Sequence, residues 1–338
     1  MISVIIPSYN SEKTIGNCIK ALQAQSIKNY EVVDKEGSTA YISQKFEIIV
    51  VDDGSIDKTA DIVKSFKNVK FFKRSHKGPA SARNFGAKMA RGEILLFTDS
   101  DCEPDSNWIA EMAEPFKDKL IVGVSGTYRT RQIEIIARFA QYEIEERHAK
   151  MAKMKSIDFI GTFSAGYRKD IFEKFGGFDE SFSTSAGEDP ELSFRMAEAG
   201  HRMVFAPKAF VYHIHPNTPY KYLRQKYRNA YWRVAVYAKR KKTVMKGHSY
   251  TPTSALIEAV CAVLFLLSLL WYVINPTSGI SIVTGGFLLL TFIMSTPLIY
   301  HISEKDLQVG ISSPFIIMAR AFVTAFGISL GLLRRAFR

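Results

Sequence analysis

The sequence predicts an α/β fold, a mainly parallel sheet covered by helices, followed by C-terminal helices that enter a membrane. Three observations carry this reading. Short apolar runs alternate with amphipathic helical stretches through the first two hundred residues, the pattern of a parallel sheet with crossover helices. The runs "VIIP", "EIIVV" and "EILLF" are apolar without alternation, as in strands buried on both faces. Beyond about residue 250 the apolar residues run together in stretches of at least 20 residues, long enough to cross a bilayer.

Taken in order, the expected strands are Ser3–Ile6, Phe46–Val51, Val69–Phe72, Glu93–Phe97 and Leu120–Tyr128. The expected helices are Lys13–Gln25, Asp57–Lys67, Pro79–Ala90 and Ser106–Phe116, then a long one over Thr130–Lys155 and another over Pro190–Ala199. Pro79 suits the first turn of its helix, where a missing N–H is no loss. The stretch "KNYEVVDKEGS" (28–38) is an imperfect copy of "QKFEIIVVDDGS" (44–55), and both cannot be the second strand of one sheet. Ile48 to Val51 are four consecutive β-formers, whereas Val32 and Val33 run at once into Asp34, Lys35 and Glu36. A central strand needs the longer run. The later copy is assigned to the sheet, and residues 29–43 to a surface insertion.

Charge divides the chain as well. The net charge is +12, and residues 201–254 hold twelve Lys and Arg with no acid, so the rest of the chain is balanced. A basic belt beside apolar segments points to anionic lipid, and no helix-turn-helix, zinc-finger or RNP signature favours nucleic acid. Cys18, Cys102 and Cys261 are scattered without a CxxC pair, which argues against a disulfide framework and fits a reducing compartment. The N-terminus runs straight into a strand, so no signal peptide is expected and the first part is expected in the cytoplasm.

Ala255–Ile274 and Ile280–Tyr300 are read as two spans of a hairpin (254–300), with both outer ends cytoplasmic because the basic belt precedes the first. In Pro314–Leu333 the residues Arg320, Thr324, Gly327, Gly331 and Arg334 recur at helical spacing. That segment, within 313–338, is read as an interfacial helix, with a third crossing as the alternative. Residues 217–253 are expected to form a basic amphipathic interface segment and 1–216 the catalytic domain. The protein is thus expected at the cell membrane, multi-pass, with its catalytic domain in the cytoplasm.

The strand at Glu93–Phe97 ends in acid: Asp99, Asp101, Glu103 and Asp105 occupy alternate positions. Carboxylates at the C-terminal end of a parallel strand lie where open α/β sheets bind ligands. Asp-x-Asp there suits a hard divalent cation, Mg²⁺ or Mn²⁺. A second acidic turn, "VVDDGS", ends the strand at Phe46–Val51, where a turn and helix cap is the competing reading. There is no GxGxxG after the first strand and no P-loop, which removes the usual dinucleotide and NTPase readings.

Together, "VIIPSYNSEKTI", "FEIIVVDDGSIDKT", "GPASARNFGAKMARGEILLFTDSDCEP" and "GGFDESFSTSAGEDPELSFRMAEAG" closely resemble glycosyltransferase family 2, of the GT-A fold, from residue 2 to about 215. The resemblance implies an inverting, metal-dependent transfer from a UDP- or GDP-sugar. It implies that Pro7, Tyr9 and Asp53 line the base pocket, with Asp53 accepting from the base and Asp52 nearby. Arg83 would sit near the nucleotide or its phosphates, an exposed helix arginine being the alternative. Asp99 would contact ribose or metal, Asp101 the metal and diphosphate, and His213 the metal. His213 and His215 are expected on one face of a strand. Asp189 is the implied base, with Glu188 alongside, at a helix start that would keep the carboxylate ionised. Ser164, Ala165 and Gly166 would form a loop against donor and acceptor.

The stretch "RQKYRNAYW" is similar to the QxxRW signature of processive polysaccharide synthases, with Gln225 and Arg228 in place but Asn229 where tryptophan belongs. Tyr220–Lys246 is therefore read as an interface helix rather than a polymer gate. The expected acceptor is a hydroxyl of a lipid-linked polyprenyl-diphosphate glycan. A polyprenyl-phosphate sugar synthase, similar to dolichyl-phosphate mannose synthase, is the alternative, followed by a non-catalytic sugar-nucleotide sensor.

Overall fold

The computed structural model describes residues 1–26, 29–33, 39–43, 46–182, 187–240, 248–249 and 253–337. The chain divides into two compact units, Met1–Arg129 with Met151–Ile214, and Thr130–Lys150 with His215–Arg338.

The first unit opens with β1 (Ile2–Ser8), α1 (Ile15–Gln23), β2 (Asn29–Val33), β3 (Thr39–Ser43) and β4 (Phe46–Asp52). Next come α2 (Thr59–Lys64), β5 (Val69–Lys73), α3 (Pro79–Met89), β6 (Ile94–Phe97), β7 (Cys102–Pro104), α4 (Trp108–Ala113) and β8 (Ile121–Arg129). Helix α5 (Ile135–Met151), all but its last residue, groups with the second unit. The chain then returns through β9 (Ala165–Arg168), α6 (Lys169–Lys174), α7 (Glu188–Glu198) and β10 (Arg202–His213).

Eight strands form one mixed sheet in the order β5-β4-β1-β6-β9-β8-β10-β7. Strands β5, β4, β1 and β6 are parallel, as is the β8–β10 pair, while β9 runs antiparallel to β6 and β8, and β7 to β10. The unbroken apolar runs have a direct cause here. On one face Val4, Ile6, Ile48, Val50 and Leu96 pack with Ile15, Ile19 and Leu22 of α1 and Trp108 of α4. On the other, Ile5, Ile49, Val51, Leu95 and Phe97 pack with α3 and with Leu192 and Met196 of α7. Of the duplicated stretches, the later one is the sheet strand, whereas β2 and β3 pair with each other in a separate two-stranded ribbon.

Several expected helices are shorter than their patterns. Asp57 accepts the N–H of Thr59, so α2 starts two residues later than predicted. The stretch after α4 tightens into a 3₁₀ turn, Glu114–Lys117, where Pro115 lacks an N–H to continue the α-helix. The segment expected as a loop at Ser164–Gly166 is largely strand: Ala165 and Gly166 begin β9 in the middle of the sheet.

The second unit is helical: α5, α8 (Pro219–Lys239), α9 (Thr253–Ile274), α10 (Ser278–Lys305) and α11 (Leu307–Ala336). The predicted continuation of α8 through 241–246 lies outside the described residues. Helices α9, α10 and α11 are each long and apolar enough to cross a membrane. Phe139 of α5, Tyr222 of α8, Leu298 and Ile302 of α10, and Val309 and Ile317 of α11 share one core. A second cluster joins Ala259 and Ala262 of α9 to Ala321 and Ala325 of α11. Helix α11 lies so close to α8 that a Cβ on Gly327 or Gly331 would sit 2.7 Å from the carbonyl oxygen of Tyr227 or Tyr231. Small residues permit that approach.

This unit also buries charge. Arg320, in the middle of α11, bonds both Glu143 of α5 and Glu258 of α9. Lys226 Nζ lies 2.8 Å from Glu143, and the Tyr222 hydroxyl donates to Glu143 at 2.7 Å. Ser295 of α10 donates to Glu258 at 3.3 Å. Burial pulls the Glu143 carboxyl upward, but Lys226 and Arg320 outweigh it and hold it down at about 2.

Candidate active site

The site is built at the C-terminal ends of β1, β4 and β6, where the backbone leaves the sheet with polar residues in hand. Asp52 and Asp53 end β4, and both turn inward. Asp52 is 0% exposed and accepts the N–H of Ser55 at 3.0 Å. Asp53 accepts the N–H groups of Lys77 at 3.0 Å and Gly78 at 2.8 Å, and meets His76 Nδ1 at 2.9 Å. Asp53 thus fixes the loop leading into α3. The ring of Tyr9, just past β1, stacks on His76 with centroids 4.2 Å apart, and both rings face solvent. Pro7 lies inside β1, in register with Val51 and buried.

After β6 the acids separate. Asp99 is held by Arg83, whose Nη2 donates to Oδ1 at 2.7 Å. Asp101 instead faces His213 at the end of β10, with Oδ2 and Nε2 3.6 Å apart. Ligand atoms of Asp101, His213 and Cys102 all lie within 4.8 Å of one another. The antiparallel β7–β10 pairing, with Cys102 opposite His213, makes this meeting. Tyr128 packs its ring against His213, centroids 4.7 Å apart. Desolvation raises the Asp101 carboxyl, His213 opposes it, and Asp99 adds to it. A carboxylate beside an imidazole is a donor set that fits Mn²⁺ or a similar divalent ion.

Helix α7 supplies the remaining acids. Its N-cap is Gly187 at φ +138°, a conformation that favours glycine, and Glu188 and Asp189 form its first turn. Glu188 is 1% exposed and accepts from Arg83 Nη1 at 2.9 Å. Asp189 is half-buried, with its backbone carbonyl accepting from Ser193. The helix terminus does not keep Asp189 acidic: burial, then the adjacent Glu188, raise its carboxyl well above the ordinary carboxylate range. Glu188 is likewise raised by burial, with Arg83 opposing.

Three expectations are corrected. Arg83 is not an exposed helix arginine, the alternative reading; it is 1% exposed and spans Asp99 and Glu188. Ala165 and Gly166 are not an open loop, because β9 pairs with both β6 and β8 and a Cβ on Gly166 would press on Leu96, Phe116 and Met112. His213 and His215 do not share a strand face. Strand β10 ends at His213, while His215 belongs to the helical unit, its Nε2 2.9 Å from Gln141 Oε1.

A family model described as glycosyl transferase family 2 matches residues 3–176, and a second, glycosyl transferase family group 2, matches residues 94–302. The chain belongs to glycosyltransferase family 2. Glycosyltransferase AglE of Haloferax volcanii is 27% identical over 236 residues, covering 67% of this chain and 70% of that protein. The O-antigen chain rhamnosyltransferase RfbN of Salmonella typhimurium is 27% identical over 230 residues, covering 64% of this chain and 68% of that protein. Among solved structures, the mannosyltransferase PcManGT from Pyrobaculum calidifontis, in complex with GDP-Man and Mn²⁺, superposes with a TM-score of 0.62. It is 18% identical, with 97% of this chain and 86% of that one covered, a likeness of fold. The fold is GT-A, and the glycosyltransferase carries its apolar helices after the catalytic sheet.

Two residues that the structure brings to this candidate site escaped the sequence. His76 had no signal beyond standing two residues before Gly78, in a basic loop. Cys102 had one, its place beside Asp101, but a lone cysteine is ordinary core more often than it is part of a site.

Proposed function

We propose that the chain is an inverting, metal-dependent glycosyltransferase that moves one sugar from a UDP- or GDP-sugar to a hydroxyl of a lipid-linked acceptor at the cytoplasmic membrane face. The observation that carries this is Arg83: one guanidinium holds Asp99 and Glu188, so the acids after β6 and those opening α7 belong to one site. The donor's diphosphate would lie on the β6 side, with Asp101 and His213 holding the divalent ion. When bound, that ion would supply positive charge to the departing diphosphate. Asp189 takes the proton from the acceptor hydroxyl as its oxygen bonds to the anomeric carbon, and the bond to the nucleoside diphosphate breaks. Burial raises the Asp189 carboxyl above the ordinary range, and a carboxylate so raised is the stronger base for that step. Glu188, turned into Arg83, is not available for it. A relative named for O-antigen chain transfer supports a growing glycan as the acceptor class.

The helical unit supports membrane placement. Leu266, Leu267, Leu270, Trp271 and Val273 of α9 and Ile282, Val283 and Leu289 of α10 are exposed, which supports insertion of that hairpin. Helix α11 exposes Ile311, Phe315, Phe326 and Leu332 as well, but it also carries charge. Its midpoint residue Arg320 is bonded to Glu143, and its glycines pack on α8, which exposes Lys221, Arg224 and Arg228. Such polar neighbours support the interfacial reading of α11 over a third crossing.

The test is Asp189→Asn in the full chain, purified in detergent and screened over UDP- and GDP-sugars with Mn²⁺. Transfer is expected to fall on the order of 10²–10⁴-fold, the range for a lost general base, while UDP or GDP affinity stays within about threefold. Transfer that survives near wild-type level would remove Asp189 as the base and favour a phosphate acceptor, already ionised.

A further inference from the structure

Arg83 occupies a position that stability alone does not explain. Helix α3 begins at Pro79 after Gly78, and Ala80, Ser81 and Ala82 are all buried. These small residues let α3 settle on β1 and β4 and carry a full-length arginine into the interior. There the guanidinium forks: Nη1 donates to Glu188 Oε1 at 2.9 Å and Nη2 to Asp99 Oδ1 at 2.7 Å. The Phe178 ring, with its centroid 5.9 Å from the guanidinium carbon, backs it. Among the described residues, Arg83 Nε and Glu188 Oε2 are buried without hydrogen-bond partners. A buried ion cluster left partly unsatisfied is a poor stabiliser, since apolar residues of similar volume commonly do as well or better. Such groups call for another explanation.

We propose that Arg83 is a positioning residue that yokes Asp99, on the donor side, to Glu188 and so to the first turn of α7. Occupation of the donor side then fixes where Asp189 stands. The proposal rests on the donor reading given above. Arginine is specific for the task, because a planar fork reaches two carboxylates at once and an ammonium serves one.

The experiment compares the wild-type chain with Arg83→Lys and Arg83→Met, each full length in detergent. UDP and GDP affinity with Mn²⁺ is read by calorimetry, and amide hydrogen exchange at residues 187–191 is read with and without nucleotide. Turnover is read by hydrolysis of UDP- and GDP-sugars. In the wild type, nucleotide with Mn²⁺ is expected to slow exchange at the start of α7 at least tenfold. Arg83→Lys keeps a charge beside Glu188, so it is expected to melt within about 3 °C of wild type, on the scale of roughly 1 kcal/mol. It is also expected to bind nucleotide within threefold. It is nevertheless expected to lose the nucleotide-driven protection of α7 and at least tenfold in kcat, with KM changing less than threefold. Arg83→Met is expected to lose the same coupling with a lower melting temperature.

An Arg83→Lys chain that matches wild type in protection and kcat overturns the proposal and leaves charge compensation as the residue's only role. A wild type that binds nucleotide without any change at 187–191 overturns it as well. A wild type that binds neither nucleotide overturns the donor reading, and the proposal with it.

Discussion

Replacing Arg320 by methionine keeps the length of the side chain and removes the charge that two carboxylates share. Glu143 is not abandoned, because Lys226 and the Tyr222 hydroxyl remain on it at 2.8 Å and 2.7 Å. Glu258 is the weaker side: it is 2% accessible and, among the described residues, retains the Ser295 hydroxyl at 3.3 Å. Breaking a buried ion pair from one side leaves an uncompensated charge and costs about 3–5 kcal/mol. For a unit of 150–250 residues each kcal/mol moves the melting point by about 2–4 °C, so a fall of roughly 6–20 °C is expected. The assay is thermal unfolding of the full chain in detergent. Adding Glu258→Gln to Arg320→Met removes the stranded charge and is expected to recover at least half of the fall. Two results would sink the reasoning: a drop under about 2 °C in the single variant, or a double variant no more stable than the single one.

Three further outcomes are expected. Asp101→Ala should abolish the Mn²⁺-dependent part of UDP or GDP affinity, and unchanged calorimetric binding with metal present would remove Asp101 from the metal site. Glu143 has an ordinary pKa of 4.5 and a folded one of about 2, so its ion pairs contribute stability that is fully present above pH 4.5 and disappears as the pH falls through about 2. The melting-point gap between wild type and Glu143→Gln should therefore be widest near neutral pH and close on acidification; a gap independent of pH would contradict this. Replacing Glu31–Tyr41 with a short Gly-Ser link should leave melting and nucleotide affinity intact, since β2 and β3 pair only with each other within the described residues and loop closure changes by only about 0.6 kcal/mol per doubling of length. Loss of nucleotide binding there would mean that the ribbon belongs to the site.

The parts of the fold legible in the sequence are those whose neighbours leave a local mark. Strands β1, β4 and β6 are buried on both faces, so burial wrote itself as unbroken apolar runs. Strand β9 left no such mark. "AGYR" reads as a loop, and it is strand because β6 and β8 offer hydrogen bonds on either side and Gly166 leaves room for Leu96 and Phe116. The acids of the site were visible as motifs, but their partners were not. Arg83 sits among small and polar residues in "ASARNFG", and its burial is decided by Glu188, 105 positions away. Asp189 at a helix start suggested a carboxylate of low pKa, and the desolvation that raises it instead is a property of packing, not of spacing.

The path of the chain between its two units has a practical consequence for anyone who wishes to separate them. It crosses from one to the other after Arg129, after Lys150 and after Ile214. Stopping translation after the last sheet strand would therefore not release a self-sufficient enzyme. It would leave α5 as an orphan, with Arg138 deprived of Asp306, Glu143 of Lys226 and Arg320, and Glu145 of Lys305. Three charged groups of α5 that now have partners in the helical unit would lose them. A soluble catalytic piece requires two cuts, one after Ile214 and one excising 130–150 with a linker in its place. The same interleaving means that the ribosome finishes the sheet with α5 already made and waiting for helices that begin only at Pro219 and run to Ala336.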